Sequence, residues 1–154
     1  MSEPLPPPAI PSTAGFNPAE WAPIFEQWGF SGFIGARYES HGPDWVELAL
    51  PWRADLTVDE DSGLLSSGPI ITMLDLATSS AVWARLDQPR PQATMDLRVD
   101  YLAASPPGAT LYAWGQCTHV THQVAFVRGV AHNGDRDAPI ALCTGTFIRT
   151  AAMF

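Results

Sequence analysis

Between residues 18 and 28 the large apolar side chains Trp21, Ile24, Phe25 and Trp28 recur at i, i+3, i+4 and i+7, the spacing of a helical stripe. Asn17 is placed to cap that helix, Pro18 suits its first turn, and Gly29 is its expected stop. Two runs of strand character follow at 33–40 and 45–52, joined by the turn His41-Gly42-Pro43-Asp44. An acidic loop at 59–63 then leads into Leu64-Leu65-Ser66-Ser67-Gly68-Pro69.

From 69 to 86 apolar or small residues occupy every side of a helical wheel, which predicts a buried helix. Pro69 fits its first turn, and Ser66 or Ser67 can cap it. Only Arg85 and Asp75 are charged in this stretch. Arg85 lies near the helix end, where the dipole favours a cation. Asp75 lies in the middle, where an ionised carboxylate is costly unless it is paired or used.

After Pro89-Arg90-Pro91 the period changes to two. Met95, Leu97, Val99 and Tyr101 fall on one face, and Asp96, Arg98 and Asp100 on the other. The same parity puts Thr94 with Asp96 and Arg98. A turn at Pro106-Pro107-Gly108 precedes a strand at 110–119, and strands at 124–132 and 140–148 form a hairpin about Asn133-Gly134-Asp135. The expected architecture is α+β, an antiparallel sheet wrapped around the buried central helix. It forms one domain over 16–154, preceded by a Pro-rich, flexible segment at 1–15.

Composition narrows the chemistry. The chain has 154 residues, 46% hydrophobic and 16% charged, enough for one compact domain. A net charge of -8 argues against a general nucleic-acid binder. All 8 basic residues are arginine, so Schiff-base chemistry and a Walker A lysine are excluded. Cys117 and Cys143 lack C-x-x-C spacing and read as small core residues in a reducing compartment. The first eleven residues carry Glu3 and five prolines rather than a signal peptide, and no apolar run approaches a membrane span. A cytoplasmic protein is expected.

The histidines do not make a metal site. His119 and His122 are three apart and fall on opposite strand faces, while His132, beside Asp135 and Asp137, reads as a polar residue of the hairpin surface. Gly63-Leu-Leu-Ser66-Ser67-Gly68 lacks the G-x-S-x-G of a serine nucleophile elbow. Backbone N–H groups at the start of a buried helix can still polarise a carbonyl oxygen. Asp75 lies six residues beyond Pro69, about 9 Å along the helix, too far to act on a carbonyl held at its own N-terminus. A second subunit supplying the other half would unite the two features.

The stretch Glu60-Asp-Ser-Gly63-Leu-Leu-Ser66-Ser67-Gly68, with Asp75 beyond it, resembles the Asn-x-x-Gly-x-x-His-Gly-Gly segment of hotdog-fold thioesterases. The likeness is to the PaaI-like branch of the 4-hydroxybenzoyl-CoA thioesterase superfamily, where an acidic residue follows nine positions after the histidine. Ser67-Gly68-Pro69 is similar to a Ser-Gly-Pro variant of that segment. The run from Asp96 through Tyr101 to Pro106 and the strand Thr144-Gly145-Thr146-Phe147 resemble later family features. Glu60 stands at the family's Asn position and Ser66 at its His position.

The resemblance implies a hotdog fold and hydrolysis of an acyl-CoA thioester. Asp75 would act as nucleophile or general base, the Gly68 N–H would polarise the carbonyl, and Thr94 would orient the attacking water. Ser66 and Ser67 would join the catalytic set at the helix start, and Glu60 and Gly63 would contact the substrate. Arg90, Arg128 and Arg136 are candidate partners for coenzyme A phosphates. No metal or organic cofactor is implied, coenzyme A entering only as part of the substrate, and the assembly would be a homodimer or a dimer of dimers. A non-catalytic acyl-CoA or aromatic-ligand binder keeps the same fold and pocket. A hydratase or dehydratase ranks third, since the loop leading into the helix carries Ser66 where that chemistry wants a histidine.

Overall fold

The helical stripe forms α1 (Pro18–Gln27), with the Asn17 side-chain oxygen accepting the Ala19 N–H at 3.1 Å. Its aromatic residues Trp21 and Phe25, with Phe16 just before the helix, pack against the far end of the central helix, where all three meet the Trp83 ring. A computed structural model describes residues 9–11 and 14–150; most of the Pro-rich segment expected to be flexible at 1–15 lies outside the described residues.

Gly29 does more than end α1. With φ at 64° it redirects the chain into a second short helix, α2 (Gly29–Ile34), closed by Gly35 in the left-handed region at φ 83°. The strand expected from residue 33 therefore starts only at β1 (Arg37–His41). The Gly35 N–H and the Ala36 N–H are taken by the carbonyls of Gly32 and Ser31, which completes a helical end rather than a strand start.

β2 (Trp45–Leu50) is followed by a 3-10 turn (Ala54–Leu56) and then by α3 (Ser67–Leu86). The chain ends in β3 (Gln92–Tyr101), β4 (Leu111–Val120), β5 (Val124–His132) and β6 (Ala141–Arg149). All pairings are antiparallel, in the order β1-β2-β4-β5-β6-β3, which leaves β3 as one edge.

The sheet curls around α3, as the apolar wheel of 69–86 and the strand periodicity after it predict. Met73, Leu74, Ala77, Ala81 and Val82 are fully buried between helix and strands. Gly115 of β4 is where the two layers come closest: a Cβ there would lie 2.5 Å from the Ala77 carbonyl carbon and the Thr78 nitrogen. Only glycine lets the sheet approach the helix backbone so closely.

The inner face of the sheet carries Leu111, Ala113, Cys117, Ala125, Val127 and Phe147, all buried. Both cysteines are core residues, and burial pushes their thiols up to about 11 for Cys117 and about 12 for Cys143. Neither is a thiolate nucleophile at neutral pH.

One surface expectation is overturned. His132 is only 5% exposed. It ends β5 stacked on Tyr112, with Nε2 2.9 Å from Glu47 Oε1 on β2. The Gly134 N–H donates to Nδ1 at 3.1 Å, so in the neutral ring it is Nε2 that carries the proton and donates to Glu47. Asp135 and Asp137 instead shape the following turn, the Asp135 side chain accepting the Asp137 N–H. No helix among the described residues is long and apolar enough to cross a membrane.

Candidate functional site

One face of α3 is not covered by the sheet. Gly68, Ile71, Thr72 and Asp75 occupy it at i, i+3, i+4 and i+7, between α2 on one side and β3 on the other. Two adjoining grooves run along this strip. The larger, about 480 Å³, contains Asp75, Thr94, Thr72 and Leu97. The smaller, about 310 Å³, lies at the start of the helix beside Ser66 and Gly68. Phe30, Ile71 and Thr72 wall both.

Asp75 is half-buried, and its Oδ1 accepts a hydrogen bond from the Thr94 hydroxyl at 2.8 Å. No hydrogen bond from the described residues reaches Oδ2, which leaves that oxygen to the groove. Burial raises the carboxyl above its ordinary pKa, and the Thr94 hydroxyl pulls the other way by stabilising the anion. A carboxylate displaced upward in this manner is a stronger base than an exposed one. Cys143 stands near enough for the Asp75 charge to add to the upward shift of its thiol.

Thr94 reaches Asp75 because strict alternation fails in β3. A β-bulge between Thr94 and Asp96 breaks the pairing with β6, where Thr94 faces Phe147 and Asp96 faces Thr146. Met95 is the extra residue. The bulge moves Thr94 onto the inner face with Leu97 and Val99, not onto the face of Asp96 and Arg98 that parity predicts. The partner of Asp75 is thus set by one inserted residue.

At the helix start Ser66 occupies the N-cap position with extended backbone, but its hydroxyl makes no capping bond, contrary to expectation. Its own N–H is held by the Leu56 carbonyl at 3.0 Å, and Ser67 is the first helical residue. The N–H groups of the first turn have no intrahelical acceptor, and with no serine hydroxyl on them the Gly68 end remains an open donor site. Gly68 is exposed, and a Cβ there would meet nothing within 4 Å.

The remaining sequence candidates stand elsewhere in the same chain. Glu60 is exposed on a loop tip and borders neither groove. Gly63 has φ at 60°, lies where a Cβ would come within 3.2 Å of Pro107, and its carbonyl accepts the Trp52 Nε1 hydrogen bond at 2.9 Å, a loop-shaping role. Arg90 follows the C-terminal end of α3, its carbonyl accepting Trp83 Nε1. Arg128 and Arg136 both lie over the Trp114 ring, at 5.8 and 5.3 Å, on the outer face of the sheet. The sheet separates them from Asp75, so they do not join this site within one chain. Among the described residues no three His, Cys, Asp or Glu side chains converge as a metal-binding group.

Two site residues escape the sequence pattern. Thr72 is three positions before Asp75 on the same helical face, so its place follows from the helix register. Phe30 has no such signal, because α2 depends on the left-handed glycines that bracket it.

A long helix wrapped by an antiparallel sheet is the hotdog architecture. The family model described as 4HBT, thioesterase superfamily, matches residues 62–140, and the chain belongs to that superfamily. A crystal structure of a Pseudomonas aeruginosa protein is similar at 30% identity, covering 76% of this chain and 87% of that one with a TM-score of 0.69. The E. coli PaaI protein from the phenylacetic acid degradation operon superposes with a TM-score of 0.73 at 17% identity, over 85% of this chain and 91% of that one. A mutant of the phenylacetic acid degradation protein PaaI from Thermus thermophilus gives 0.68 at 24% identity, over 79% and 98%. These two PaaI structures share the fold. No functionally curated protein matches the chain.

Proposed function

We propose that this protein hydrolyses an acyl-CoA thioester in the cytoplasm as a homodimer or dimer of dimers, without metal or organic cofactor. The observation that carries the reading is the half-buried Asp75 carboxylate, held by Thr94 and opening through Oδ2 onto a groove on the same helix face as the uncapped Gly68 end. Acting as general base, Asp75 takes a proton from water as the oxygen adds to the thioester carbon. Acting as nucleophile, Oδ2 adds directly and water then hydrolyses the anhydride. In both routes the C–S bond breaks and the thiolate leaves to take up a proton. The Gly68 N–H stabilises the oxyanion.

Gly68 and Asp75 lie seven residues apart, about 10 Å along one helix face, too far to serve one carbonyl. Two copies of α3 packed antiparallel about an axis near Ile71 and Thr72 would bring Gly68 of one chain to Asp75 of the other. Ile71 is 38% exposed in the single chain, and β3 is an unpaired edge ten residues long. Such an edge is a pairing surface. The test is thiol release from a panel of acyl-CoA esters. Turnover that survives Asp75→Asn rejects the catalytic assignment, and tight binding without turnover establishes the binding-module reading instead.

A further inference from the structure

The Asp75 groove shares two of its lining residues with a second, smaller space. Leu76 and Ser31 border the open groove of about 480 Å³, and the same two residues border the second space. That space is a slot between the α1–α2 pair and β2, walled by Phe25, Ala36, Val46 and Leu48 and reaching Ser80. Its free volume is about 10 Å³, roughly one water molecule. A slot with an almost wholly apolar surface, bordered also by Arg37 and Tyr38, thus adjoins the open groove at Leu76 and Ser31.

We infer that Leu76, with Ser31, is the stop that limits the length of the acyl group. The inference rests on the thioesterase reading above. With the thioester carbon at Asp75 Oδ2, the coenzyme A arm must leave through the open side of the groove. The acyl group is left the apolar end, where Phe30, Leu97 and Leu76 stand. Leu76 is half-buried and packs against the main core cluster, so it is backed by the fold and does not swing aside as a free surface side chain would. The Ser31 hydroxyl is tied to the Trp28 carbonyl at 3.1 Å, which fixes the other half of the shared border. A chain longer than the groove meets Leu76.

Truncating Leu76 joins groove and slot. In a series of straight-chain acyl-CoA esters of increasing length, the parent's kcat/KM should rise and then fall sharply. Leu76→Ala should move the maximum to chains longer by two or more carbons, by about fourfold per newly accommodated methylene, mainly through KM. Leu76→Val should move it less in the same direction. Ser31→Leu, which adds bulk at the shared border, should move it to shorter chains, and Leu76→Met should leave it in place. Melting curves identify any variant that does not fold.

Uniform loss of rate at all lengths in Leu76→Ala and Leu76→Val overturns the assignment, as does a parent that shows no fall-off with length. Calorimetric binding of non-hydrolysable acyl-CoA thioethers separates the two readings. If the parent hydrolyses no ester, yet its thioether affinity breaks at a length that Leu76→Ala shifts, the thioesterase reading fails and the stop stands. If turnover is robust and depends on Asp75 but no length preference moves, the stop fails alone.

Discussion

Replacing Asp75 by asparagine removes the charge and the basic oxygen while keeping the shape. The Asn side-chain oxygen can still accept from Thr94, so the 2.8 Å contact and the β3 bulge that creates it survive. Burial disfavours the native anion, so the neutral amide should leave the melting temperature unchanged or raised at neutral pH. Catalysis should fall by 10²-fold or more, which corresponds to about 2.7 kcal/mol of transition-state stabilisation. The pH dependence gives a second signature. With its pKa raised in the folded state, Asp75 binds its proton more tightly there than in the unfolded chain. The stability this contributes is full below the ordinary carboxylate pKa and is lost as pH rises through the raised value. Activity needs the anion and should therefore rise over the interval in which this stability term falls. Asp75→Asn should abolish both effects. Steady-state thiol release and thermal melting, each followed from about pH 4 to 8 across and above the usual carboxylate range, read them out. Parent-like turnover in Asp75→Asn, or an activity profile without an ionisation above the ordinary carboxylate value, refutes the reasoning.

Thr94→Val should raise the Asp75 pKa further and displace the activity profile to higher pH, with a rate loss of about tenfold or less for one solvent-accessible hydrogen bond; Thr94→Ser should restore both, and a profile unmoved by Thr94→Val would detach Thr94 from the acid. Light scattering should find a dimer or tetramer at micromolar concentration, whereas a stable, active monomer would eliminate the shared site. Gly115→Ala should cost about 1–3 kcal/mol by driving a Cβ into the α3 backbone, seen as a fall in melting temperature of roughly 2–4 °C per kcal/mol. Asn17→Ala should cost about 1 kcal/mol as a lost cap. Ser66→Ala should cost little stability, because the Ser66 hydroxyl makes no capping bond; a loss as large as that of Asn17→Ala would contradict the geometry.

What the sequence determined by itself is local and periodic. The all-round apolar wheel at 69–86 marks α3 as the central helix, although the single chain leaves the strip of Gly68, Ile71, Thr72 and Asp75 uncovered, and the same wheel singles out Asp75 as a charge in need of a use. Alternation in the 110–148 region places the last three strands within a residue or so of their ends. The likeness around Glu60–Gly68 leads to the superfamily that the chain belongs to. Tertiary structure decided the rest. A single bulged residue, Met95, reverses the parity of Thr94, and no pattern of period two announces an insertion whose partner strand lies some fifty residues away. Gly29 and Gly35 could each have ended an element; the fold makes them the two ends of α2, packed beside α1, and so brings Phe30 and Ser31 to the groove. His132 has the sequence context of a hairpin-surface residue, and only the pairing of distant strands sets Glu47 of β2 beside it. Arg128 and Arg136 carry the right charge for a phosphate, yet the curl of the sheet puts them on its outer face, over Trp114. Side-chain type and helical register are written along the chain, whereas which face a strand residue presents, and to whom, depends on pairings formed between distant segments.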